Sequence, residues 1–182
     1  MTVDLSVEYP IVATTRMWVD EQEAATGPFT GGIVADWAFA RANSCDFVLT
    51  AAGRGWGTHW ETDPGLTARV WDLGLDFGTR WSPGADGEHF VTGWFGLGSG
   101  LRASLLDVEW WDDALGWGVG GWFGGGAVLG RGKTRATLSL RADTFLDFDR
   151  YTGTMITASE TTTWGWSPGS VRLTASAGAQ FR

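Results

Sequence analysis

Cysteine occurs once in the chain, at Cys45, so no disulfide framework can form within it and no CxxC-type metal cluster is present. Lysine is equally scarce: of 13 basic residues only Lys133 is lysine, and the rest are arginine. Basic clusters are missing and the net charge is −8, which excludes the cationic surface that nucleic acid requires. No run approaches the roughly 18 consecutive apolar residues that a transmembrane helix needs. Helical periodicity is nearly absent as well. "DEQEAATG" (20–27) is the one candidate, and Gly27-Pro28 reduces it to a loop or a single turn. The opening residues, "MTVDLSVEYP", have neither the basic n-region nor the apolar h-region of a signal peptide.

What the chain does contain is glycine and tryptophan, 28 and 13 in 182 residues, a mixture far from ordinary soluble usage. The length suits one domain, 1–182. The dominant pattern has a period of two. In "VWDLGLDFGTRW" (70–81), Trp71, Leu73, Leu75, Phe77 and Trp81 share one parity, and Asp72, Gly74, Asp76, Gly78 and Arg80 the other. Such alternation places the two sets on opposite faces of a β-strand. The run 134–149 repeats it, with Ala136, Leu138, Leu140, Ala142, Leu146 and Phe148 against Arg135, Thr137, Ser139, Arg141, Asp143 and Asp147. So do 3–14, 31–42, 114–125 and the last residues, while 46–57, 89–98 and 154–166 alternate less cleanly. The run 101–111 joins the series if a bulge falls near Leu105-Leu106, which sets Arg102, Ser104, Asp107 and Glu109 on one face.

Ten strands are counted in this way, or eight if weak runs merge. Antiparallel strands in an up-and-down meander close into a barrel because closure removes the unpaired edges. Strands of about 9–11 tilted residues cross a hydrocarbon layer. The all-β expectation is therefore an antiparallel up-and-down transmembrane barrel.

Volume and charge assign the faces. A water-soluble barrel turns its bulky parity inward and needs a richly charged exterior. Here the polar parity is mostly Gly, Ala, Ser and Thr with sparse charges of both signs, which fits a narrow lumen. The expected lumen set is Asp72, Asp76, Arg80, Arg102, Asp107, Glu109, Arg135, Arg141, Asp143 and Arg172. Confined charges must pair, so Arg80, Arg102, Arg135 and Arg141 are matched with Asp72, Asp76, Asp107 and Asp143. The planar guanidinium serves two acceptors at once, which accounts for arginine displacing lysine. Trp37, Trp71, Trp81, Trp110, Trp164 and Trp166 lie near the ends of their runs, where amphipathic rings favour the two membrane interfaces. The competing reading is a lipocalin-like barrel in water, with tryptophans lining a pocket for a small apolar ligand.

Chemistry is thinly signalled. "THWETDPG" holds His59, Glu61 and Asp63, which could serve acid/base catalysis in a membrane hydrolase, although a solvated acidic loop is the simpler reading. No Ser/His/Asp order, HExxH or phosphate-cradling glycine motif occurs. No cofactor or metal is expected.

The last strand, "VRLTASAGAQF", resembles the terminal strand of bacterial outer-membrane β-barrel proteins, which alternates apolar residues and ends on an aromatic, here Phe181. A designed transmembrane barrel would carry the same pattern. The resemblance implies an outer-membrane location, with the leader absent from this sequence, and a terminal strand read by the assembly machinery through Val171, Leu173 and Phe181. Arg182 departs from the pattern, because the aromatic is normally last. The expected function is a narrow pore or a purely structural barrel, monomeric and surrounded by lipid. A wide porin needs many more strands.

Overall fold

The alternating runs form a closed antiparallel barrel of eight strands. The computed structural model describes residues 1–13, 16–19, 22–24, 29–59, 67–83, 89–108, 114–147, 151–156, 161–167 and 171–182. Its strands in chain order are β1 (Thr2–Ala13), β2 (Arg16–Val19), β3 (Gln22–Ala24), β4 (Phe29–Ala42), β5 (Cys45–His59) and β6 (Thr67–Trp81). They continue as β7 (Val91–Val108), β8 (Ala114–Leu129), β9 (Thr134–Asp147), β10 (Tyr151–Ile156), β11 (Thr161–Ser167) and β12 (Val171–Phe181). The barrel order is β1-β12-β9-β8-β7-β6-β5-β4, closed where β1 pairs with β4. The remaining four strands make a second sheet, β10-β11-β2-β3. No helix among the described residues is long and apolar enough to cross a membrane.

Eight strands, the alternative count, hold in place of ten for two reasons. The runs 89–98 and 101–111 are one strand: β7 pairs with β6 and with β8 in an unbroken register from end to end. The bulge expected near Leu105-Leu106 is therefore not formed. Leu105 stays on the outer parity of Leu101 and is exposed, while Arg102 and Ser104 are buried. The same register pairs Asp107 with Arg69. In addition, 154–166 is not a wall strand but the hairpin β10-β11 of the second sheet. Part of 20–27 also departs from expectation, since Gln22–Ala24 is strand β3 and not a turn.

Bulges do occur elsewhere. One lies between Pro10 and Val12, where proline has no N–H for the ladder, and others lie at Phe29/Gly31 and Ala38/Ala40. Two tight turns lie at the same end of the barrel. At one end β4 and β5 are joined by Asn43-Ser44, with Asn43 at φ 55°, a left-handed value asparagine tolerates. β8 and β9 are joined by 130–133, where Gly130 and Gly132 take φ of 111° and 97°. We call this the turn end. The connections containing β2, β3, β10 and β11 leave the opposite, loop end.

The outer surface is apolar. Leu73, Phe77, Leu138 and Leu140 are 66%, 53%, 50% and 54% exposed, whereas Asp72, Arg102 and Asp143 on the other parity are at most 1% exposed. That polarity is the inverse of a soluble carrier, whose dry centre would hold the leucines.

Candidate functional site: the barrel interior

Inward parity brings charges from distant strands into three levels. Near the turn end, Arg80 of β6 donates to Asp4 of β1 at 2.5 Å and to Asp36 of β4 at 2.8 Å. Thr50 donates to Asp36 at 2.5 Å, and the guanidinium lies 4.5 Å from the ring centre of Trp94. At mid-height, Arg141 of β9 holds its strand neighbour Asp143 at 2.7 Å and reaches across to Asp76 of β6. Its guanidinium lies over Trp122. Toward the loop end, Asp72 of β6 accepts from Arg172 of β12 at 2.8 Å and from the Ser104 hydroxyl at 2.9 Å, with Arg102 of β7 at 3.4 Å. Phe145 lies against both arginines, 4.0 Å from Arg102 and 5.6 Å from Arg172.

Strand order gives these contacts their meaning. β6 and β12 are four strands apart whichever way the ring is followed, so the Asp72–Arg172 bond spans the full diameter. Asp72 is inaccessible and Arg172 is 3% exposed, so the bond lies almost wholly out of contact with solvent. Eight-stranded barrels have interiors just wide enough for side chains to fill, and this one is filled by ion pairs and rings.

The rings explain the glycines. A Cβ at Gly98 would stand 2.5 Å from Trp122 Nε1 and 2.5 Å from the Phe77 carbonyl, and one at Gly78 would stand 2.7 Å from the same indole. Trp122 therefore lies across β7 and β6 in space that only glycine leaves open. Gly98→Ala is expected to lower stability by about 1–3 kcal/mol through overpacking, measured as a lower urea midpoint for unfolding from lipid vesicles. An unchanged midpoint would show that both the indole and the β6 backbone give way without cost.

Of the expected pairings, Arg102 meets Asp72 and Arg141 meets Asp76 and Asp143. Arg80 instead takes Asp4 and Asp36, both on the polar parity but outside the expected set. Arg135 donates to the amide oxygen of Gln180 and not to a carboxylate. The side chain of Asp107, all of Glu109 and Trp110, and Glu61 and Asp63 lie outside the described residues, as does the side chain of His59 at the end of β5. Trp94, Trp122 and Phe145 were not anticipated inside. Their only signal was parity, each sitting in step with small or charged neighbours.

Outside, Trp37, Trp71 and Trp81 are exposed. Near the turn end, Trp37 packs on Phe39 and Trp81 on Phe95, with ring centres 5.6 and 4.8 Å apart. Trp117, absent from the expected girdle, is 57% exposed and sits two residue pairs from the level of Trp71 through the registers of β6, β7 and β8. Trp164 and Trp166 belong to β11 of the second sheet and not to a wall strand.

No protein-family model matches the chain, and no curated protein matches it in sequence. Solved structures match it in fold. Neisserial surface protein A is 13% identical, with a TM-score of 0.52 over 99% of this chain and 95% of that one. The outer membrane protein OprG from Pseudomonas aeruginosa is 12% identical, with a TM-score of 0.62 over 99% and 93%. At this identity the likeness is one of architecture. The chain is a closed eight-stranded antiparallel barrel with the fold of bacterial outer-membrane β-barrel proteins.

Proposed function

We propose that this protein is a monomeric integral barrel of the outer membrane whose trunk does not conduct, and that it serves as a structural carrier for the connections at its loop end. The observation that carries this reading is the Asp72–Arg172 bond across the diameter, backed by Arg141–Asp76 one level below. A pore would need a continuous water path past both levels.

The exterior supports the membrane assignment. Trp71 and Trp81 are ten residue steps apart on β6, and at about 3.3 Å per residue and a tilt of roughly 40° they are about 25 Å apart along the axis. That matches the apolar band of outer-membrane barrels, about 25 Å tall between aromatic girdles. By the usual asymmetry of such barrels the turn end faces the periplasm and the long connections face outward. β12 carries exposed Val171 and Phe181 and pairs with β1, which joins the first and last strands of the chain. With Leu173, these residues form the segment we assign to the assembly machinery.

Planar-bilayer recording tests the closed trunk. The refolded protein is expected to give no resolvable single-channel steps. Paired truncation of Asp72 and Arg172 to alanine is expected to introduce them. Stable unitary steps from the unaltered protein would establish the narrow pore instead.

A further inference from the structure

At the turn end the barrel interior opens into a cavity of about 320 Å³, the size range of small-ligand sites. Arg80 and Trp94 border it, and Val128 and Ala38 supply apolar wall. Among its lining cations, Arg80 is committed to Asp4 and Asp36, and Arg41 lies 3.6 Å from Asp46. Arg135 is different. It is 6% exposed and forms no ion pair among the described residues, and its one hydrogen bond goes to the neutral amide of Gln180. Its Nε is buried without an acceptor, and so is the Thr92 hydroxyl lining the same cavity. A desolvated guanidinium with no carboxylate in ion-pair contact is costly, and charge-assisted bonds to an oxyanion are its strongest remedy.

We propose that this cavity binds a small amphipathic oxyanion, a carboxylate or phosphate held by Arg135 and Thr92, with its apolar part against Trp94 and Val128. The site lies on the near side of the Arg80 cluster and requires no passage through the barrel. Two sources share this chemistry: a diffusible organic acid, or the phosphate of a phospholipid headgroup entering at the rim.

The test uses the full chain refolded in dodecyl maltoside, whose headgroup is uncharged, and benzoate as the probe. Benzoate is expected to shift the side-chain N–H resonances of Arg135 and Trp94 saturably, while benzamidine, its cationic counterpart, shifts neither. Arg135→Gln is expected to weaken benzoate binding at least tenfold while its heat-modifiable gel migration is retained. Thr92→Val, a smaller change, is expected to weaken it severalfold and provides a second variant if Arg135→Gln does not fold. Repeating the titration in phosphatidylcholine nanodiscs separates the sources. Benzoate binding lost there assigns the site to lipid phosphate, and binding retained assigns it to a soluble acid. The proposal is overturned if millimolar benzoate produces no saturable shift, if benzamidine acts equally, or if Arg135→Gln binds as tightly as the parent. Any of these would mean that a water relay to the unpartnered Asp4 Oδ1 satisfies Arg135 instead.

Discussion

Replacing Asp72 with alanine is expected to destabilise the barrel by about 3–5 kcal/mol, the cost of breaking a buried ion pair by removing one partner. The residue is inaccessible to solvent and sits between Arg102 and Arg172, which come from different strands. Its loss leaves two buried guanidiniums without the carboxylate they share and deprives the Ser104 hydroxyl of its acceptor. Phe145, packed against both arginines, loses the fixed geometry that orients it. Reversible urea unfolding from lipid vesicles, followed by tryptophan fluorescence, measures the change. A triple change, Asp72→Leu with Arg102→Met and Arg172→Met, is expected to recover most of the loss, because a buried ionic cluster replaced by apolar side chains of similar volume is often neutral or stabilising. An Asp72→Ala variant within about 1 kcal/mol of the parent would mean that water reaches this level, since solvated surface pairs contribute only that much. The same result would remove the main support for a closed trunk.

Legibility in the sequence followed the separation of interactions along the chain. β6, β9 and β12 could be read directly, because each alternates for ten or more residues between leucine or aromatic side chains and small or ionic ones. The side of the barrel each parity faces was also accessible, from volume alone. β7 was misjudged because Gly98-Ser99-Gly100 looks like a break. In the barrel those glycines are inward positions beneath Trp122 and beside Asp76, so their meaning depends on an indole from β8 and on β6 across the ladder. The pair Leu105-Leu106 invites a bulge because both residues are apolar. The ladder nevertheless runs through both residues without a register shift. Partner choice was hidden for the same reason. That Arg80 belongs to Asp4 and Asp36 follows from closing β1 on β4, a contact across 76 residues that no local pattern encodes. The cavity around Arg135 was less legible still, because a cation without an ion-pair contact is defined by what fails to arrive from the other strands.

Arginine at position 75, in place of leucine, is expected to cost about 2–4 kcal/mol, the value for a cation on the lipid face at mid-membrane. Leu75 is more than half exposed and lies midway between Trp71 and Trp81, level with Leu101 on β7. Val91, equally outward but at the first residue of β7 beside Phe90, is the matched control. Val91→Arg is expected to cost only about 0–1 kcal/mol, because near the interface the guanidinium reaches headgroups and water. The contrast between the two sites carries the argument. In a water-soluble barrel both positions would be ordinary surface, where substitutions change stability by within about 0.5 kcal/mol. Both variants leave the interior charge clusters intact, so the measurement is independent of the Asp72 experiment. Equal and small effects at positions 75 and 91, measured by unfolding from vesicles, would place the leucines in water and reverse the assignment of the outer face. A loss at Leu75 several times that at Val91 locates the hydrocarbon midplane on β6 and sets the depth of the three interior levels, with the Arg80 cluster and the Arg135 cavity on the turn-end side of the bilayer centre.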